Sequence, residues 1–439
     1  MNLKIHTLLW AFLIIALEFP LTVLADTSTV IDTGATAWML TASTLLAMMY
    51  LPGLAMFYGG MVRSKNVLSI FTQLILSAGI IGVLFVVYGY SLMLDMTGAS
   101  PGHITIRSFI GGLDKAFLAG IDTGAGAIPE GVMIMFLMMF AIISPAVVVG
   151  GFAERIKFSS AILFLILWFT FAYLPMAHMV WAGPGALLAD WGALDFAGGT
   201  AVHINTGVAA LVAAIMVGKR KYYLKAAMPP HNLVMTLVGG GLLWVGWFAF
   251  NVGSGMAVDA KVGTTLLNTQ LGACGGVIAW AIIERVKLGH VSALGVISGA
   301  IAGLVGITPG CAFVGTFGAI LIGMSAGVVC FIGVTSIKQK FGYDDTLDVF
   351  GIHGLGGIVG ALMTGILASD KLGGHIVNMN ITHQFLAQSA SVLFTIFYSV
   401  IITWIILKLI DLTVGLRDSD EVEEQGLDIS QHNERAYNP

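Results

Sequence analysis

The feature that most limits how this chain can fold is a row of eleven apolar stretches, each of membrane-spanning length, joined by polar links. They cover 36–60, 67–94, 129–151, 159–180, 199–218, 231–252, 263–283, 290–307, 311–336, 347–368 and 384–410. Crossing a hydrocarbon layer about 30 Å thick takes roughly 20 residues of helix. No water reaches the backbone there, so its N–H and C=O groups must bond within the segment. Closed barrels also meet that demand, but with alternating strands of about 10 residues. Continuous runs of this length predict helices instead. Charged residues make up 10% of the chain, against roughly a quarter in soluble domains, which excludes an ordinary soluble fold. The 56 glycines suit helices that approach one another closely in lipid.

The first 25 residues have a different pattern. Lys4 lies in a short polar start, 8–17 is apolar, and Val23-Leu24-Ala25 offers a small-residue cleavage site before Asp26. Glu18 and Pro20 end the apolar run before it could span. Residues 1–25 are therefore expected to be a signal peptide, 26–411 a transmembrane domain, and 412–439 a polar tail. Cys274, Cys311 and Cys330 lie far apart in apolar runs with no C-x-x-C, so neither a disulfide framework nor a thiolate metal site is expected.

Positive charge orients the spans. Arg63, Lys65, Arg155, Lys157, Lys219, Arg220, Lys221, Lys225, Arg285, Lys287, Lys338 and Lys340 follow the odd-numbered spans. The alternate links carry only Arg107, Lys115, Lys261 and Lys371. Twelve against four puts the mature N-terminus outside and the C-terminus in the cytoplasm, which an odd number of spans also requires. If spans 1–5 and 6–10 are duplicated units, the second must be inserted upside down, an arrangement that commonly places a transport site near the midplane. His203 and His353 fall in the last span of each unit. Asp195-Phe196-Ala197-Gly198-Gly199 precedes the first and Asp348-Val349-Phe350-Gly351 the second. The expected fold is an all-α polytopic membrane protein of eleven transmembrane helices: two inverted five-helix repeats plus one C-terminal helix.

Ionisable residues inside such spans are costly and mark function. A single buried His usually just bonds a backbone carbonyl; two at equivalent places in two half-repeats suggest facing imidazoles, one nitrogen donating and the other accepting. Such a pair offers polar partners to a small neutral molecule without adding fixed charge. A metal would need further ligands, and no H-x-x-x-H, Glu-x-x-His or cysteine pair accompanies them, so no metal is expected. Asp195, five residues before Thr200, can brace free backbone donors at the start of span 5. Trp181 at the outer end of span 4, with Phe140 and Phe250 in spans 3 and 6, could be ordinary core aromatics or could replace part of a small cation's hydration.

Seven stretches carry a more specific resemblance: A-E-R-I-K-F at 153–158, A-H-M-V-W at 177–181, L-D-F-A-G-G-T-A-V-H-I-N at 194–205, G-W-F-A-F-N-V-G-S at 246–254, I-A-G-L-V-G-I-T-P-G at 301–310, D-V-F-G-I-H-G at 348–354 and D-L-T-V-G-L-R at 411–417. In number, order and spacing they resemble the ammonium transporter family (Amt/Mep/Rh), bacterial Amt type, over almost the whole chain after residue 25. The resemblance implies an outer ammonium recruitment site of Trp181, Phe140 and Ser254 supported by Asp195. It also implies a phenylalanine gate of Phe140 and Phe250, a pore with paired histidines His203 and His353, and no cofactor or catalytic residue. It further implies a homotrimer in the cell inner membrane, regulated by a PII-type (GlnK-like) signal protein on the cytoplasmic face. One departure bears on the gate. Many members carry a glutamine beside an aromatic one turn before it, whereas this chain has Met135-Phe136-Leu137-Met138-Met139-Phe140, which keeps Phe136 as a rival to Phe140.

Two other classes compete with a channel. A membrane sensor would signal through the acidic tail, 417–439, and a partner. A membrane enzyme would need a nucleophile motif, a Walker sequence or a metal cluster, and the sequence shows none.

Overall fold

The computed structural model describes residues 30–121 and 126–437; the expected signal peptide lies outside them. Among the described residues eleven long helices follow one another: α1 Thr33–Met61, α2 Ser64–Leu94, α3 Glu130–Phe152, α4 Phe158–Trp181, α5 Gly199–Val217, α6 Leu233–Gly253, α7 Val262–Leu288, α8 Ala293–Ile307, α9 Thr316–Phe341, α10 Phe350–Leu367 and α11 Ile381–Thr413. Ten have the length and hydropathy to cross a membrane alone. The exception is α8, whose 15 residues reach only about 22 Å; Pro309 lies just beyond its end. It is wedged between neighbours through glycines rather than spanning on its own length.

Every predicted span coincides with a helix, but several ends lie further out than the apolar runs. α7 continues past 283 through Glu284, Arg285 and Lys287, and α9 continues past 336 to Phe341. A helix ends where its backbone bonds find other partners, and charged residues extend it into the polar layer without cost. Starts are set by caps: Asp32, Asn232, Ser292 and Asn380 accept backbone N–H groups at the heads of α1, α6, α8 and α11.

The helix irregularities follow the inverted repeat only in part. π turns interrupt α1 at Met49–Leu54 and α2 at Phe85–Gly89, while their partners α6 and α7 are regular. The last two helices of each unit do match: α4 and α5 contain π turns at Phe169–Tyr173 and Gly199–Ile204, and α9 and α10 contain them at Gly333–Ile337 and Phe350–Gly354. π turns concentrate at functional positions, and two of these four carry the histidines.

α7, α8 and α9 pack backbone to backbone. A methyl group on Gly303 would lie 2.2 Å from the Gly272 carbonyl oxygen, and one on Gly323 would lie 2.1 Å from the same oxygen. Only glycine permits that approach.

One face of the bundle, called lower here, holds the ends carrying Arg63, Arg155 and Arg220. Glu154 accepts from Arg63 Nε at 3.0 Å, Arg220 Nη1 at 2.7 Å and Asn66 Nδ2 at 2.9 Å. Arg220 also grips Asp344 at 2.9 and 2.8 Å. Burial alone would raise the Glu154 carboxyl, but Arg220 and Arg63 outweigh it and hold it below its ordinary value. Asp344 is lowered in the same way, Arg220 overcoming the effect of burial. Arg155, fully buried, donates to the carbonyl oxygens of Gly218 and Asp344 at 2.7 and 2.6 Å. These groups join the ends of α1, α3 and α5 to the α9–α10 link. Two short helices, α12 Asp420–Gln425 and α13 Leu427–His432, lie over that face. Arg417 binds Glu423 at 2.5 Å, Lys221 binds Glu424 at 2.7 Å, and Asp428 accepts Ser69 N–H at 2.8 Å.

Candidate functional site

Asp195 begins the local architecture. Its carboxylate accepts the N–H groups of Gly198, Gly199, Thr200 and Ala201 at 2.8, 2.5, 2.7 and 3.2 Å, and the Thr200 hydroxyl. Gly198 has φ +115, a conformation other residues rarely adopt, and its carbonyl accepts both Val202 and His203 N–H. That opens the π turn and places His203. Asp345 does the corresponding work in the second unit, accepting Phe350 N–H at 2.8 Å at the start of α10. Both aspartates precede their histidine by eight residues (203 − 195 and 353 − 345). The sequence pairing of Asp195 with Asp348 is therefore corrected: Asp348 instead forms an ion pair with Lys338 at 2.6 Å.

Glycines again set the approach of α5 and α10. A methyl on Gly207 would lie 2.2 Å from the Gly354 nitrogen, and one on Gly357 would lie 3.1 Å from His203 Cβ. At this crossing the Nδ1 atoms of His203 and His353 are 3.2 Å apart. One must donate and the other accept, so the pair cannot be doubly protonated. His203 Nε2 is buried with no protein partner, and the His203 ring stacks on Trp247 and Phe250 at 5.4 and 5.8 Å.

Three cavities lie in series. The upper, about 330 Å³, is lined by Tyr90, Phe136, Phe140, Trp181, Phe196 and Ser254 among others. The middle, about 30 Å³, is lined by Phe250, Trp247, His203 and His353 with Tyr50, Tyr58 and aliphatic side chains. That is enough to admit a molecule the size of water, which needs about 10–15 Å³ on this measure. Among the described residues no Asp, Glu, Lys or Arg lines it. The lower, about 160 Å³, shares His353 with the middle one and adds Glu284, Ser292 and Asp348.

Phe140 and Phe250 are stacked between the upper and middle cavities, centroids 4.2 Å apart at 26°. Phe136 lies on the upper-cavity side of Phe140, 5.1 Å away. Trp181 meets Phe140 edge-on at 5.8 Å, and its Nε1 donates to the Asp195 carbonyl at 3.1 Å. Asp195 thus reaches the upper cavity only through Trp181 and the backbone. Ser254 Oγ donates to the Phe250 carbonyl at 2.8 Å, which leaves its lone pairs toward the cavity as acceptors. Among the described residues no three of His, Cys, Asp and Glu converge as a metal site would require.

Of the residues named from sequence, Trp181, Phe140, Ser254, Phe250, His203 and His353 fall along one path, with Asp195 behind it. Sequence reasoning missed Trp247, whose Nε1 bonds Thr308 Oγ1 at 2.8 Å while its ring backs His203. It also missed Asp345, which the eight-residue spacing could have revealed.

The model of the Ammonium Transporter Family matches residues 37–437. An ammonium transporter of Bacillus subtilis (strain 168) is 42% identical, covering 92% of this chain and 98% of its own. The crystal structure of Saccharomyces cerevisiae Mep2 superposes with a TM-score of 0.81 at 30% identity, covering 90% of this chain and 92% of its own. A solved structure titled Sensor Amt Protein gives 0.83 at 26%, covering 91% and 98%.

Proposed function

The chain belongs to the ammonium transporter family, transporters rather than enzymes, and from that premise we propose how its residues move ammonium across the membrane. Ammonium enters the upper cavity from outside, where the faces of Trp181 and Phe140 and the oxygen of Ser254 replace part of its water. The stacked rings of Phe140 and Phe250 close the way below, and thermal motion opens it. The middle cavity is the smallest of the three and is lined by no ionised side chain among the described residues, so a cation there has lost its hydration without gaining a counter-charge. Above this point ammonium passes its proton to solvent water in the upper cavity, and ammonia alone goes on. His203 and His353, sharing one proton between their Nδ1 atoms, give the neutral guest an acceptor and a donor in turn. In the lower cavity, lined by Glu284 and Asp348 among others, ammonia takes a proton from solvent water on the cytoplasmic side.

The observation that carries this reading is the 3.2 Å imidazole contact inside a cavity without charge, between two larger ones. Labelled methylammonium uptake into cells lacking other transporters tests it. The His203→Ala, His353→Ala double variant is expected to reduce uptake at least about tenfold, the size of effect that losing a pair of polar partners in an apolar passage gives. Unchanged uptake would remove the pair from the mechanism.

The same premise extends to the surroundings. The lower face is cytoplasmic, the assembly is a homotrimer in the inner membrane, and α12 and α13 with the α1–α2 and α5–α6 links form the surface that a PII-type signal protein meets. The excess of Arg and Lys on that face and the family resemblance support this. Residues 1–25 act as the export signal.

A further inference from the structure

We propose that Glu130 and the ring of Tyr90 form a second monovalent-cation subsite at the rim of the upper cavity, held in this structure by the side chain of Lys115. Ammonium displaces that side chain on its way in. The inference rests on the transport reading above and names a binding step that precedes it.

Lys115 Nζ lies 3.4 Å from Glu130 Oε1 and 5.6 Å from the centroid of the Tyr90 ring. The Tyr90 hydroxyl donates to the same Oε1 at 2.6 Å. A carboxylate and an aromatic face thus converge on one primary ammonium group, the chemical class of ammonium and methylammonium. Within about 6 Å such a face attracts a cation measurably. The site adjoins the transport path. Tyr90, Met133 and Met256 line both the upper cavity and a recess of about 350 Å³ whose wall includes Glu130.

Two further features make exchange feasible. The Lys115 backbone is anchored, its N–H donating to Ser91 Oγ at 3.0 Å, so only the flexible side chain has to move. The side chains of Lys115 and Glu130 are 40% and 21% exposed, wet enough for a free cation to compete. Glu130 is also the first residue of α3, so a negative carboxylate there sits at the positive end of the helix dipole.

The test is methylammonium uptake in cells lacking other ammonium transporters, at low and high ionic strength, with KM and maximal rate measured separately and surface expression matched. Lys115→Met removes the tethered competitor and is expected to lower KM about two- to fivefold at low salt, the scale of a partly exposed ion pair. Glu130→Gln is expected to raise KM by a similar factor with the maximal rate unchanged. In the double variant the gain from Lys115→Met should shrink, because the site it vacates is gone, and both effects should fade in salt. A normal wild-type rate with KM unmoved by Lys115→Met would overturn the subsite. So would a Glu130→Gln variant that lowers the rate and leaves KM alone, or an equal gain in both backgrounds. Absence of wild-type uptake would instead overturn the transport reading itself.

Discussion

At the scale of single residues the two aspartates behind the histidines matter most. Asp195 satisfies four backbone donors at the start of α5. Asp195→Ala leaves buried N–H groups unpaired and is expected to cost about 2–4 kcal/mol, seen as a lower melting temperature in detergent. Asp345 differs: burial raises its carboxyl to about 6, and one of its oxygens has no partner. The folded state therefore prefers it protonated. Its contribution is most favourable below pH 4 and is lost as pH rises from about 4 to about 6. Glu154 and Asp344, held low by arginines, act with the opposite sign, their contribution being lost only as pH falls below about 4. Asp345→Asn is expected to flatten the stability profile between pH 4 and 6 without lowering stability at pH 7.5. A variant as steep as the parent would contradict the assignment. The histidines were legible in sequence because an ionisable group in an apolar run is conspicuous. The structural work of Arg155 and Arg220 was not legible, since from sequence both counted only as loop charges setting orientation. In the structure they are 0% and 9% exposed and tie helix ends together.

At the scale of elements, the apolar runs located all eleven helices because the bilayer leaves a backbone no alternative. Their closeness was not legible, because it depends on which glycines face which backbone. Composition announces many glycines; only the packed structure shows that Gly272 meets Gly303 and Gly323, or that Gly207 meets Gly354. Gly276→Ala tests this directly. Its methyl would lie 2.2 Å from the Gly299 carbonyl oxygen, so α7 and α8 must separate at a cost of about 1–3 kcal/mol. Thermal unfolding in detergent measures it, and an unchanged midpoint would show that the two helices are not held at backbone contact. The π turns also escaped the sequence pattern, since a single extra residue in a turn scarcely alters hydrophobic periodicity.

For the whole molecule, the tail and the pore are the two ends of one structure. Arg417 joins Glu423 at 2.5 Å and the Lys219 carbonyl at 2.7 Å. Arg417→Ala is expected to raise protease cleavage within 418–439 several-fold while α1–α11 stay intact; cleavage at the parental rate would mean that other contacts hold the tail. On the proposed mechanism a cation crosses this scaffold only if it can give up its proton above the imidazoles. Potassium resembles ammonium in size and has no proton to give. The decisive measurement compares ammonium and potassium gradients across proteoliposomes containing the wild-type protein, with the same driving force for each. Transport is expected for ammonium and none above protein-free vesicles for potassium. Potassium flux comparable to that of ammonium would mean the ion crosses intact, and the proposed mechanism would be wrong.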